Sequence, residues 1–201
     1  VIEETTTNPH DDHGYPNKPA AQARVNVRSC LRCGLVGIPM IIVRVGGSLF
    51  DHPHLGPGLR AFLDSLAPAD VLLVPGGGDV VEAVRKLDAI HALGEEASHQ
   101  LALRGMQLTG EFLLRLIGEN SRVTMPPFDL DELPHSWEVT SDSIAARAAV
   151  VHGAERLVLL KSVDVPIGTS WEEAASRGWV DAHFPKVVAN AAFPIEVMNF
   201  R

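Results

Sequence analysis

Hydrophobic positions along the chain fall into short unbroken runs separated by stretches with helical spacing. Ile41-Ile42-Val43 passes through Arg44 and Val45 into Gly46-Gly47-Ser48, and Val71-Leu72-Leu73-Val74 passes into Pro75-Gly76-Gly77-Gly78-Asp79. A third run, Leu157-Val158-Leu159-Leu160, ends at Lys161. Apolar runs of this length fit strands buried on both faces, as in a parallel sheet. Between them, Leu59, Phe62, Leu63 and Leu66 predict a helix over 55–67, and Val80, Val81, Val84 and Leu87 predict one face of a second. Ala97, Leu101, Leu108, Phe112 and Leu116 predict an apolar stripe on a long helix over 95–117, packed on the sheet.

The second half continues the alternation. A short strand is expected over 122–125, and the prolines of 126–134 keep that segment irregular. Thr140 or Ser141 caps an Ala-rich helix running to Val151. Short helices near 171–177 and 184–191 and a final strand over 195–200 complete the pattern. Strands and helices alternating in this way predict an α/β domain with a mainly parallel sheet. Ligands of such sheets bind beyond the carboxyl ends of the strands, where each glycine loop sits.

Composition narrows the partners. The chain has 201 residues, enough for one domain with an appendage. Its formal charge of −8 argues against nucleic-acid and membrane-surface binding. No apolar run reaches the length of a membrane span, and the beginning lacks the apolar core of a signal peptide, so a cytoplasmic protein is expected. Residues 1–37 differ in texture from 38–201: the first twenty are polar, contain prolines and lack apolar periodicity, so disorder is expected there. Cys30 and Cys33, with His10 and His13 upstream, have the residue types of a tetrahedral zinc site. The intervening segment shows no sign of folding around a metal, and the extension is read as carrying none.

Glycine lets a backbone turn sharply and approach a ligand closely, and a helix opening behind such a loop attracts anions, phosphate above all. The two loops are neither G-x-x-x-x-G-K-[ST] nor G-x-G-x-x-G. Arg44-Val45-Gly46-Gly47-Ser48 and Pro75-Gly76-Gly77-Gly78 instead resemble the paired loops of the amino acid kinase superfamily, the acetylglutamate, aspartate and uridylate kinases. Thr140-Ser141-Asp142-Ser143-Ile144-Ala145-Ala146 resembles the superfamily's aspartate motif, and Lys161-Ser162-Val163-Asp164 the loop that these kinases lay along the nucleotide. The segment 133–146 resembles a compact branch of the superfamily, one archaeal member of which phosphorylates an aminomethylfuran-methyl phosphate for methanofuran-type cofactors.

The resemblance implies a three-layer αβα sandwich and an ATP-dependent kinase working with Mg²⁺ on a small-molecule phosphate acceptor, as a homo-oligomer. It implies that Gly46, Gly47 and Ser48 cradle the transferring phosphoryl group, and that Lys161 and Asp164 contact the nucleotide. Gly76, Gly77, Gly78 and Ser141 fall on the acceptor side. Arg44 and Lys186 supply positive charge, and Asp142 orients those cations. Each residue also has a plainer reading: Asp142 as an ordinary acid at a helix start, Lys161 as a strand end facing water, Lys186 as a surface helix lysine. The family places a lysine where Arg44 stands. Arginine keeps the charge but is bulkier and has a fixed fork. Rival functions are a kinase of a carboxylate or a nucleoside monophosphate, and a nucleotide-binding regulatory protein without catalysis.

Overall fold

A computed structural model describes residues 38–130 and 132–201. The expected disorder of the extension, and the grouping of Cys30 and Cys33 with His10 and His13, lie outside the described residues. Five strands form one sheet: β1 (Met40–Val45), β2 (Asp70–Pro75), β3 (Val123–Thr124), β4 (Arg156–Lys161) and β5 (Ile195–Asn199). Their order is β3-β2-β1-β4-β5, and every pairing is parallel. Among the described residues six α-helices accompany them: α1 (Leu55–Ser65), α2 (Gly78–His91), α3 (Glu95–Ile117), α4 (Ser141–His152), α5 (Trp171–Ser176) and α6 (Phe184–Val188).

Side-chain alternation along the strands sorts the core onto two faces. Ile42, Leu72, Val74, Leu157 and Leu159 join Ile144, Ala145 and Ala149 of α4 and Phe184 and Val188 of α6. Ile41, Val43, Val45, Val71, Leu73, Val158 and Leu160 join Leu55, Leu59 and Leu63 of α1. The result is the αβα sandwich. Each of the three α1 leucines is essentially fully buried, which contributes about 1.5–3 kcal/mol apiece. The alanines of α4 let its backbone come close to the sheet.

Two helical faces differ from the hydropathy pattern. In α3, Leu101, Leu108 and Phe112 are exposed, at 39%, 58% and 41%, whereas Ser98, Leu103, Gly105, Met106, Thr109, Gly110, Leu113 and Ile117 are buried. Small and hydroxylic residues line the buried face because α2 and the second glycine loop press closely on this helix. Helix α2 has no fully buried residue, and Val80 and Leu87 of its expected apolar face are exposed. Among the described residues no helix is long and apolar enough to cross a membrane.

Strand order fixes where a ligand goes. From β1 the chain steps to β2 and then β3 on one side, and afterwards to β4 and β5 on the other. The carboxyl ends of β1 and β4 therefore flank the point where the winding reverses, and crevices open at such points.

Candidate active site

Three charged side chains meet at this switch point. Arg44 on β1 and Lys161 at the end of β4 continue the strand positions of Ile42 and Leu159, so both lie on the α4 face of the sheet. Asp142 comes down onto them from the first turn of α4, where the helix dipole favours an acid. Lys161 Nζ donates to both Asp142 oxygens at 2.8 and 2.7 Å. Arg44 Nε lies 3.0 Å from Asp142 Oδ1, and Arg44 Nε and Nη2 also donate to Ser141 Oγ at 3.2 and 3.0 Å. All three charged residues are buried, with Arg44 and Lys161 at 8% exposure and Asp142 at 3%. Burial pushes the Lys161 ammonium down to about 8, and the neighbouring Arg44 charge adds to the shift against the pull of Asp142.

The glycine loops owe their composition to one another. A Cβ on Gly47 would stand 2.4 Å from the backbone nitrogen of Gly78, and one on Gly76 would stand 2.3 Å from the nitrogen of Gly47. The loops thus pack backbone against backbone, with no room for a side chain between them. Gly46 N donates to Leu160 O at 2.9 Å and Gly76 N to Val45 O at 2.7 Å, continuing the sheet's pairing into both loops. Thr109 Oγ1 of α3 donates to Gly76 O at 2.9 Å, anchoring the second loop from behind. Ser48 Oγ lies within hydrogen-bonding distance of Ser162 Oγ, at 2.8 Å, joining the first loop to the segment after β4.

Asp181 fixes the start of α4, a role the sequence reading missed. One carboxylate oxygen accepts from Thr140 N and Oγ1 and from Ser143 N, and the other from Ser143 Oγ, His183 N and Phe184 N. Six donors on one carboxylate lock α4 to α6 and so hold Asp142 in place. The available signal was an acid just ahead of a helix that carries a proline in its first turn.

Two compartments meet at the α4 N-terminus. A polar cleft of about 490 Å³ is lined by Arg44, Gly47, Ser48, Asp142, Lys161 and Asp181, with Trp179 beneath the Arg177 guanidinium on its wall. Thr140 is shared with a second, apolar cavity of about 60 Å³ between α2, α3 and the loop before α4. Gly77, Leu103, Met106, Trp137 and Ser141 stand on its wall, with Glu95 and Arg85 among its charged residues. Trp137 is held there by a hydrogen bond to Asp88 Oδ2 at 2.8 Å and by the Arg85 guanidinium over its ring.

The residues singled out from the sequence therefore divide. Arg44, Asp142, Lys161, Gly47 and Ser48 line the polar cleft, with Gly46 directly beside it beneath Arg44 Nη1. Gly77 and Ser141 line the apolar cavity, and Gly76 and Gly78 belong to the same loop. Asp164 is exposed and tied to Asn199 of β5, outside both compartments. Lys186 lies on the outer side of α6, in shallow grooves with Glu132, Arg147 and Ala182 rather than in the cleft. Lys161, and not Lys186, is the lysine that the fold brings to Asp142.

No protein-family model matches the chain. Its fold is the amino acid kinase fold. Uridylate kinase from Archaeoglobus fulgidus superposes with a TM-score of 0.58 at 15% identity, over 80% of this chain and 90% of that one. Aspartate kinase from Synechocystis superposes at 0.55 and 14% identity, over 78% of this chain and 37% of that one. In sequence, the chain is 28% identical over 145 residues to [5-(aminomethyl)furan-3-yl]methyl phosphate kinase of Methanocaldococcus jannaschii, spanning 62% of this chain and 67% of that protein. The resemblance read from the glycine loops and the aspartate motif is borne out by both comparisons.

Proposed function

We propose that this chain is an ATP-dependent phosphotransferase that moves the γ-phosphoryl group onto a small phosphate monoester bearing an amine, of the aminomethylfuran type used in methanofuran-like cofactors. One observation carries the reading: two buried cations share a single buried carboxylate at the switch point of the sheet. An excess positive charge held out of water is costly unless an anion joins it, and a polyphosphate is the anion that suits a cleft of this size. The sequence similarity to a kinase of such an acceptor points the same way.

The chemistry then rests on position and charge. Nucleotide phosphates lie along Gly47, Ser48 and Lys161, with the base toward the stacked Arg177 and Trp179 on the same wall. Arg44 and Lys161 face the equatorial oxygens of the moving group, where charge builds in the transition state. Asp142 holds both cations at fixed separation and, being engaged by them, leaves Mg²⁺ to phosphate oxygens and water. The acceptor enters from the side of the other compartment, its phosphate toward Gly77 and Arg44, and the cavity of about 60 Å³ must widen between α2 and α3 to take its ring against Trp137, Leu103 and Met106. Glu95 on the same wall suits an amine. The exposed apolar side chains of α2 and α3, among them Ile90, Leu108 and Phe112, favour a homo-oligomer.

The test is ATP turnover with an aminomethylfuran-methyl phosphate, its deaminated analogue, uridine monophosphate and a small carboxylate. Turnover is expected with the first, and Glu95→Gln is expected to raise KM for it about tenfold while leaving the deaminated analogue unaffected. Nucleotide binding without turnover on any acceptor overturns the enzymatic reading, and turnover on uridine monophosphate alone overturns the acceptor.

A further inference from the structure

Away from the cleft, His99 of α3, Asp129 and His135 bring three metal-type ligand atoms within 4.8 Å of one another. His99 Nε2 and His135 Nε2 stand 3.7 and 3.6 Å from the same oxygen, Asp129 Oδ1. Those separations are too long for hydrogen bonds. They are close to the edge of a tetrahedron around zinc, about 3.3–3.5 Å when the bonds are about 2.0–2.1 Å. Among the described residues His99 Nε2 is shielded from solvent and has no hydrogen-bond partner, which is costly for a polar atom. On the other ring, His135 Nδ1 pairs with Glu96 Oε2 at 2.6 Å, one helical turn before His99. A carboxylate on the far nitrogen sets the tautomer of a ligating histidine and turns its Nε2 lone pair outward, the arrangement found around protein-bound zinc.

We propose that His99, Asp129 and His135 bind a zinc ion, with Glu96 as the positioning carboxylate and water from the open side completing the shell. Two nitrogens and one carboxylate oxygen suit zinc and disfavour magnesium, which takes oxygen ligands in octahedral array. The imidazoles stack at 3.9 Å between centroids and 8° from parallel. Parallel rings cannot both aim in-plane lone pairs at one ion, so loading swings His135, the more exposed of the two, out of the stack. The ion pins the irregular segment after β3 to the start of α3. That segment continues into Ser136 and Trp137 on the wall of the apolar cavity, so the metal braces that wall.

The measurement is calorimetric titration and metal analysis of the full chain, stripped with chelator and titrated with zinc chloride. A Cys30→Ser/Cys33→Ser background removes any thiolate contribution. One equivalent is expected to bind and to raise the melting temperature, while magnesium chloride does neither. His135→Ala and Asp129→Ala should each abolish that binding. Asp129 faces solvent, so Asp129→Ala should melt where the metal-free parent does, while the loss of the His135 stack and its Glu96 contact is read from the metal-free melting temperature of His135→Ala. Glu96→Gln should weaken zinc ten- to a hundredfold without removing a ligand. Absence of binding in the cysteine-free chain, or binding indifferent to His135→Ala and Asp129→Ala, overturns the proposal.

Discussion

Lys161 grips both oxygens of Asp142 at 2.8 and 2.7 Å while Arg44 reaches the same carboxylate at 3.0 Å, so one acid serves two bases. These three buried side chains carry one positive unit in excess, at a place where water is largely shut out, and Asp181 on the same cleft offsets part of it at Lys161. Salt bridges in such surroundings add little net stability by themselves. Their value here is geometric, since they hold two flexible cations at a fixed spacing before any anion arrives.

If the cleft binds nucleotide as proposed, the depressed ammonium of Lys161 should make that affinity sensitive to pH. Its folded value of about 8 lies below the ordinary 10.5, so the folded chain binds that proton more weakly than the unfolded chain does. Stability attributable to this group therefore rises with pH between about 8 and 10.5, and below about 8 the buried charge works against folding. The effect on binding runs the other way, because the cation that meets phosphate is lost as pH rises through 8. Nucleotide titrations below and above pH 8 should show affinity falling with pH, and Lys161→Arg should flatten that fall because a guanidinium does not titrate in this range.

Asp142→Asn should separate turnover from binding. The variant leaves both cations beside the cleft with less to restrain them, so their attraction for a polyphosphate persists while their alignment is lost. A fall in kcat of about a hundredfold or more is expected, with nucleotide affinity changed much less. Steady-state kinetics alongside calorimetric binding check this. The melting temperature without nucleotide should drop, since unpaired buried cations cost about 3–5 kcal/mol.

Much of this site was legible in the sequence because strand ends announce themselves. An apolar run that stops at a charge and then glycine marks the carboxyl edge of a buried strand, as at Arg44, and the run before Lys161 stops at a charge in the same way. Asp142 was legible through the Thr140 cap and the small residues after it. Lys186 has the right residue type but sits on the outer side of α6, and nothing in local spacing reveals which way a five-residue helix faces. Asp181 escaped notice because its six partners come from two segments brought together only by folding. The α3 stripe misled for a related reason: hydropathy cannot register that Thr109 is wanted under a glycine loop, or that Gly105 must admit Val81.

Gly47→Ala tests the packing of the two loops. Its Cβ would stand 2.4 Å from Gly78 N and 2.6 Å from Gly78 Cα, both backbone atoms that no rotamer change can move. The loops must part, carrying Ser48 away from Ser162 and Gly77 away from the apolar cavity. Urea unfolding should show a loss of about 1–3 kcal/mol, in the range of overpacked cores. Nucleotide binding should weaken by more than that stability change accounts for. Gly118→Ala offers a contrast, because among the described residues nothing lies within 4 Å of its added methyl and only its φ of 73° resists the change.

Arg44 stands where kinases of this fold are expected to carry a lysine, and its contacts show why arginine serves. One nitrogen reaches Asp142, two reach Ser141, and Nη1 lies over Gly46, 3.0 Å from where a Cβ would sit. A lysine would bring one nitrogen where arginine brings three, so the contacts to Ser141 and Asp142 and the approach to the first glycine loop would all fall to a single head group. Arg44→Met removes the charge and keeps an unbranched stem, so the strand should persist while turnover falls by about 10²–10³, as when one preorganised donor is lost from a transition state. Arg44→Lys should retain most of the nucleotide affinity and lose about tenfold in kcat, because the charge stays but the grip on Ser141 goes. Ser141→Ala should reproduce the lysine variant's loss in kcat if that grip is what aims the guanidinium. Should the Arg44→Met variant turn over like the parent, Arg44 is a strand-end brace, and Lys161 alone carries the catalytic charge.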